Sequence, residues 1–579
     1  MVRKSLIHTV LYTFLFVGIS FAQNRKQANE TLDGQEVNVV KPYSPKVADA
    51  FKVKEIPSIQ EEANSPKKKV VYNIFSIPVA STFTPAKGKA AAIEKVKKET
   101  LYDNFLSFGA GSFTTLLGEL YLNHAINRTE NVGGYISHHS SQGDIEGVRL
   151  DNNFSDTKLR ANYARNLNSY SWNVDAGYRQ QVLNWYGLPM QFDDLGFNVN
   201  SIEPKQKYFT LDFGGEVEFD DSLIKEGRLR FRRFADDYES SENSFAFRTN
   251  FDIPLNDGEL NTTVRFDYLN GNFDRTYFIP IELKYGNFIV GGSPSYQIVR
   301  DDLTVNLGVS AYYLNDTQEG DSKFFIYPDI TASYRIANEV LIGYAGIQGN
   351  LIQNTYHDFA QANPFVSPNM VIMPTDQQYH AYVGLKGKLS NNMSYNIRGT
   401  YKAANNQSLF KSNTLISTSP ETNLNYQFGN SFSVVYDDVS TFSIFGELNV
   451  DVNRNFNLGL KAEYFKYSTD NELEAWNLPD FQGSLFLDFQ IDEHWFAGAS
   501  LYYMGERLDQ FTDSVAGPSP VITLESYFDA NAHLGYRIND RWTVYAKGNN
   551  LANQDYQRFA NFPVQGLQLL GGVTYKFDF

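Results

Sequence analysis

The chain has 579 residues and 65.8 kDa, with 50 Lys and Arg against 66 Asp and Glu, a length that suits several soluble domains or one large barrel. It contains no Cys and only 8 scattered His, which excludes disulfides, a thiolate nucleophile and a cysteine lipid anchor, and leaves no grouping from which to expect a metal or other cofactor. The 45 Phe, 37 Tyr and 5 Trp make 15% aromatics within only 42% hydrophobic residues, at a mean hydropathy of -0.38. A helical membrane bundle needs longer apolar runs than that balance allows, whereas many short strands with one apolar and one polar face fit it.

In chain order, Arg3 and Lys4 precede an apolar run from Leu6 to Phe21, and Ser20-Phe21-Ala22 ends it with small residues. This is the layout of a signal peptide over residues 1–22, cleaved after Ala22, so the mature chain is expected to leave the cytoplasm. It then carries 48 basic and 66 acidic residues, a net of -18, and an acidic exported chain is a poor partner for nucleic acid.

That charge is uneven. Residues 23–100 hold 14 Lys and Arg against 9 Asp and Glu, whereas residues 101–579 hold 34 against 57. The shift marks a boundary near residue 100. The basic segment includes Pro42, Pro45, Pro57, Pro66, Pro78 and Pro85 and the run Lys67-Lys68-Lys69. It is expected to be mostly extended, periplasmic or inserted in a lumen, with a strand piece at Val70–Ser76 and a helix at Ala90–Lys98.

From Leu101 onward the pattern becomes period two. In 245–253, Phe245, Phe247, Phe251 and Ile253 alternate with Arg248, Asn250 and Asp252, and similar alternation runs through 303–313, 456–464, 481–491 and 528–538. Such strands present one face to lipid and the other to water or polar protein. Very short turns rich in Asn, Asp and Gly occur at 166–168, 255–258, 300–302, 337–339, 390–392, 453–455, 492–493 and 539–540. Between them lie long connections at 185–205, 354–376, 404–422, 469–480 and 506–525. Short turns at one end and long loops at the other predict an all-β, closed antiparallel transmembrane barrel of about 22 strands, its short-turn end periplasmic, in a bacterial outer membrane.

His138-His139-Ser140-Ser141 sets His beside Ser, but adjacent strand residues point to opposite faces, and no nucleophile elbow or zinc-protease motif accompanies them. No enzyme is expected. The polar faces offer a different candidate: Asp212, Glu216 and Glu218 on one strand, and Arg228, Arg230 and Arg232 on the next. Antiparallel pairing would set acids against arginines in a ladder, either a charge-selective constriction or a brace that stiffens the wall. Turned outward, the basic run 228–233 would instead meet lipopolysaccharide phosphates. Two aromatic loops, 184–189 and 363–368, are candidates for ligand or partner contact.

At the C-terminus, Val573, Tyr575, Phe577 and Phe579 share one strand face, and an aromatic closing strand of this kind resembles the signal read by the barrel assembly machinery. Together with the stretch 544–556, where Asn550-Leu551 and Tyr556 stand out, it resembles the barrel of TonB-dependent receptors, particularly those of Bacteroidota. The resemblance extends more weakly over residues 101–579. It implies an outer-membrane lipid environment, a solute as ligand, and TonB or a surface lipoprotein as partner. Glu36-Val37-Asn38-Val39-Val40 then resembles a TonB box, an extended segment that adds as a strand to a partner sheet. Receptors of this kind carry a plug of roughly 130 residues within the lumen; residues 23–100 are shorter and have no glycine-rich, arginine-containing plug signature, so the likeness is to a plug-less relative. Two functions follow, a porin-like or receptor-like barrel for solute passage, or a sealed barrel serving as a platform for surface lipoproteins or an assembly complex. Passage is favoured, because a barrel of this circumference encloses a wide lumen.

Overall fold

A computed structural model describes residues 100–189, 199–255, 258–416, 423–512 and 520–579. The signal peptide, the segment Glu36–Val40, the basic run at 67–69 and the strand and helix expected at 70–76 and 90–98 lie outside the described residues. Within them, 22 antiparallel strands form one sheet that closes on itself, as the alternation and turns predict. The first strand, Asn104–Gly111, pairs with the last, Gln568–Phe577, from Asn104 opposite Phe577 to Gly111 opposite Leu570. Closure leaves no row of unpaired backbone groups facing lipid.

The short turns form because an Asn or Asp at their start caps the backbone that follows. Asn127 Oδ1 accepts the N–H groups of Thr129 and Glu130, Asp492 Oδ1 those of His494 and Trp495, and Asn539 Oδ1 those of Arg541 and Trp542. Asp301 and Asn338 take left-handed backbone conformations, with φ of 50° and 48°, which these residues tolerate better than most.

The sheet faces sort as period two requires. On the strand Lys205–Phe219, Leu211 and Phe213 are 40% and 50% exposed on the outside, while Thr210, Asp212 and Glu216 point into the lumen. Phe324, Ile326 and Val383 likewise form part of the apolar exterior. Near the short-turn end aromatic pairs gather, including Trp495 with Tyr536 and Trp542 with Tyr575, at ring separations of 4.7 and 4.5 Å, an interfacial girdle for the lipid headgroups. At the seam, the Tyr545 ring lies across Gly109 and Gly572, where a Cβ would collide with it.

One loop differs from expectation. The strand Met393–Ser412 continues through the first nine residues of the connection expected at 404–422, because Asn405 and Asn406 form a bulge after which pairing resumes from Gln407 opposite Asp437 to Ser412 opposite Phe432. The loop there begins at 413. Its partner strand Phe432–Asn453 has 22 residues, roughly 70 Å at 3.3 Å per residue, far more than a bilayer core requires. These strands therefore rise well beyond the membrane and carry the loops with them.

Candidate functional site: a charged lumen beneath an aromatic cap

The strands Lys205–Phe219 and Ile224–Asp236 pair with Asp212 opposite Arg232, Gly214 opposite Arg230 and Glu216 opposite Arg228. Arg228 Nε lies 2.7 Å from Glu216 Oε1 and also pairs with Glu226. Arg232 Nε donates to Asp212 Oδ1 at 3.0 Å. Arg230 has only Gly214 opposite it, and the missing side chain lets it reach over to Asp175 on the strand beyond, Tyr170–Asn184, at 3.2 Å. Glu218 sits opposite Glu226 and takes no ion pair among the described residues. Of the run 228–233, Arg233 alone among the arginines points outward, where it donates to Asn243 Oδ1 at 3.0 Å.

Sequence reading missed Asp156, Asp175 and Arg179, which extend the same lining: Arg179 holds Asp156 through two hydrogen bonds of 2.8 Å, and Lys158 joins them at 3.0 Å. Period two along Asn173, Asp175, Gly177, Arg179 and Gln181 carried the signal. Each exposed pair is worth roughly 0–1 kcal/mol, so the ladder sets the lumen's charge pattern more than its stability.

Above the ladder, helix α1, Tyr356–Ala362, folds inward from the loop between Ile352 and Thr375. Thr355 caps it, its Oγ1 accepting from Asp358 N at 3.0 Å; the spacing Thr355-x-x-Asp358 is a capping signature that sequence inspection passed over. Glu242, buried in the wall, accepts from Tyr356 N at 2.7 Å, His357 N at 3.2 Å and Tyr285 Oη at 2.9 Å. Asp236 accepts from Tyr356 Oη at 2.6 Å. Tyr356 and Phe359 are buried upward, while His357, Asp358 and Gln361 meet the ladder.

The loops then meet one another across the mouth. Trp185, fully buried after the fifth strand, Tyr170–Asn184, donates through Nε1 to Phe365 O at 3.1 Å, and its own carbonyl accepts from Asn430 Nδ2 at 2.7 Å. Asn430 follows the fifteenth strand, Met393–Ser412, ten strands around a ring of 22, so this bond links nearly opposite walls. Tyr186 Oη donates to Pro563 O at 2.8 Å, and Tyr277 Oη to Thr414 O at 2.8 Å. Phe365 stacks on Phe562 with rings 3.9 Å apart, and Tyr426 meets Trp185 edge-on at 5.4 Å. The two aromatic loops singled out from sequence thus pack against each other. Burial raises the Tyr238 phenol to about 12, with Asn425 donating to its oxygen at 3.1 Å.

The remaining candidates are placed plainly. His138 faces outward and bonds Thr157 Oγ1 at 2.8 Å, whereas the His139 ring packs edge-on to Phe154 at 5.1 Å, so the two share no site. Val573, Tyr575 and Phe577 occupy the outer face of the closing strand, and Phe579 follows them, 80% exposed.

No family model matches the chain, and no curated protein matches it in sequence. Solved structures do match in fold. The FrpB iron transporter of Neisseria meningitidis superposes with a TM-score of 0.64 at 8% identity, over 83% of this chain and 82% of that one. The siderophore receptor PirA of Acinetobacter baumannii gives 0.62 at 12%, over 83% and 81%, and the ferripyoverdine receptor of the outer membrane of Pseudomonas aeruginosa 0.61 at 14%, over 83% and 72%. With its closed sheet, apolar exterior and aromatic girdle, the chain is a 22-stranded β-barrel of the bacterial outer membrane, sharing the fold of those receptors.

Proposed function

We propose that the protein is a solute-passage barrel, working in the manner of TonB-dependent receptors but without a full plug of its own, and that its outer mouth is closed by its own loops. The observation that carries this is the bond between Asn430 and the Trp185 carbonyl, which joins nearly opposite walls above a lumen lined by exposed charge, Arg228 being 61% exposed. A barrel needed only as a scaffold would have no use for a wet, charge-lined interior beneath a dry seal. The ladder Asp212, Glu216, Arg228, Arg230 and Arg232 serves as the charge filter, while Glu218 adds an acid beside it. The basic segment 23–100 takes the part of a plug from the periplasmic side, with Glu36–Val40 as the strand offered to TonB. The outer aromatic face of the closing strand, ending at Phe579, is the handle for the assembly machinery.

The test is conductance in planar bilayers. Ile352 and Thr375 are register partners, so residues 354–374 can be replaced by Gly-Gly without stretching the sheet. The intact barrel should conduct weakly and the shortened one strongly, with a further rise on removing 57–85. A folded shortened barrel that passes no ions would overturn the reading.

A further inference from the structure

We propose that α1 covers a binding site for a carboxylate-bearing solute, formed by Arg179 and Arg232 on the barrel wall, and that Asp358 occupies this site in place of the solute. The inference rests on the passage reading, since the solute must reach the lumen. It names the solute's chemistry and the step by which the solute loosens the cap.

Each of these arginines has one edge committed to the wall and one turned to α1. Arg179 gives Nε and Nη2 to Asp156, and its Nη1 donates to Gln361 Oε1 on the helix. Arg232 gives Nε to Asp212, and its Nη1 reaches His357 Nδ1 at 2.9 Å and Asp358 Oδ1 at 3.5 Å. They stand on the two strands that flank Lys205–Phe219, in register with Thr210 and Asp212, so two strand spacings and a two-residue offset set their backbones about 12 Å apart. The wall is a fixed sheet, and the helix belongs to a loop. Two guanidinium edges at fixed positions suit planar carboxylates, and the group now held at one of them is itself a carboxylate.

The contact that holds α1 here is internally incompatible. His357 Nδ1 lies 2.9 Å from both Arg232 Nη1 and Asp358 Oδ1. A ring nitrogen has a single in-plane site, so it accepts from Arg232 when bare or donates to Asp358 when protonated, and never does both. One bond of the latch is therefore always unmade. Asp358, at 56% side-chain exposure and 3.5 Å from its arginine, is a weakly held occupant that a solute carboxylate can replace. Because the solute binds only where Asp358 has withdrawn, it has the differential affinity needed to shift the helix away from the wall. The upward side of α1, held by Glu242 and buried through Tyr356 and Phe359, transmits that shift to the cap.

The absence of cysteine makes a single Ala362→Cys a unique reporter at the end of α1. In the folded, detergent-solubilised full chain, succinate should speed maleimide labelling several-fold, whereas uncharged succinamide should not. Arg232→Gln in the same background should abolish the response, and Asp358→Asn should raise the basal rate without ligand. Heat-modifiable gel migration checks folding, and Asp358→Asn keeps the test decisive if Arg232→Gln fails to assemble. Equal labelling with succinate and succinamide, an unchanged response in folded Arg232→Gln, or a basal rate in Asp358→Asn matching the parent would each overturn the site. If the Gly-Gly barrel conducts while succinate has no effect on labelling, passage stands and this site falls.

Discussion

Arg228, Arg230, Arg232, Phe234 and Asp236 lie on one inward face of a single strand, yet they belong to two different environments. The arginines line a wet wall and pair with acids that remain partly exposed, whereas Phe234 and Asp236 are buried under the cap. The adjoining strand makes the same crossing between Asp212 and Thr210, which is 3% exposed. One repeat of the strand period, roughly 7 Å, separates wet from dry. Strand geometry alone therefore does not make a lumen; what the loops lay across its end decides which inward residues meet water. The wall owes its charge pattern to weak pairs and its rigidity to the sheet, while the cap owes its closure to aromatic burial.

If that division is right, damage to the cap should open the barrel and damage to the ladder should not. The largest effect is expected from Trp185→Ala, which removes a fully buried indole and its bond to Phe365; a core truncation of this size costs about 3–5 kcal/mol. Open-channel conductance and protease nicking of the loops should both rise, and an unchanged closed barrel would refute the cap as the seal. Glu242→Gln comes next. The amide cannot accept all three bonds that hold Tyr356, His357 and Tyr285, a loss of about 1–3 kcal/mol, so α1 should loosen while the sheet stays intact. Normal amide protection of Tyr356 in that variant would show that the helix is anchored elsewhere.

A smaller and pH-dependent effect is expected at Asp509, in the loop hairpin of Arg507–Gln510 with Val521–Leu524. Burial pushes its carboxyl up to about 6, against which bonds from Ser412, Asn477 and Gln510 act to lower it. The folded loop thus holds this proton more tightly than an unfolded chain, whose Asp titrates near 3.9. Its contribution is complete below that value and is lost as pH rises through 6, so the hairpin should be about 1 kcal/mol firmer at pH 5 than at pH 7. Hydrogen exchange at Ser412 and Gln510, corrected for intrinsic rates, reads this, and Asp509→Asn should flatten it. The smallest stability change belongs to Arg228→Gln: melting should stay within about 1 kcal/mol, while reversal potentials shift toward cations because Glu216 and Glu226 lose their counter-charge. A large loss of melting temperature would mean the ladder is structural after all.

Strand parity and turn chemistry were readable directly, because both are local: Leu211 against Asp212, or Asn539 ahead of Trp542, need no knowledge of the rest of the chain. The facing of Asp212 with Arg232 was readable because a short connection joins their strands. Asp175 escaped notice because its partner Arg230 lies 55 residues away and is reached only across Gly214. The cap was less legible still. Trp185 and Asn430 are 245 residues apart, and nothing in either loop names the other. The extension of the strand Met393–Ser412 was hidden by the Asn405–Asn406 bulge, which has the composition of a turn but only offsets the pairing.

The seam between Asn104–Gly111 and Gln568–Phe577 has a consequence in time. Asp103 N donates to Asp578 Oδ1 across 475 residues of chain, so the first strand has no partner on that side until the last has been made and delivered. Until the two meet, each strand presents a bare edge, and the contact order of the closing step is close to the largest the chain permits. Closure therefore waits on the strand Gln568–Phe577, and the two unpaired edges remain templates for mispairing until it pairs. Anything that delays the arrival of that terminus lengthens the life of an open sheet rather than weakening a finished barrel.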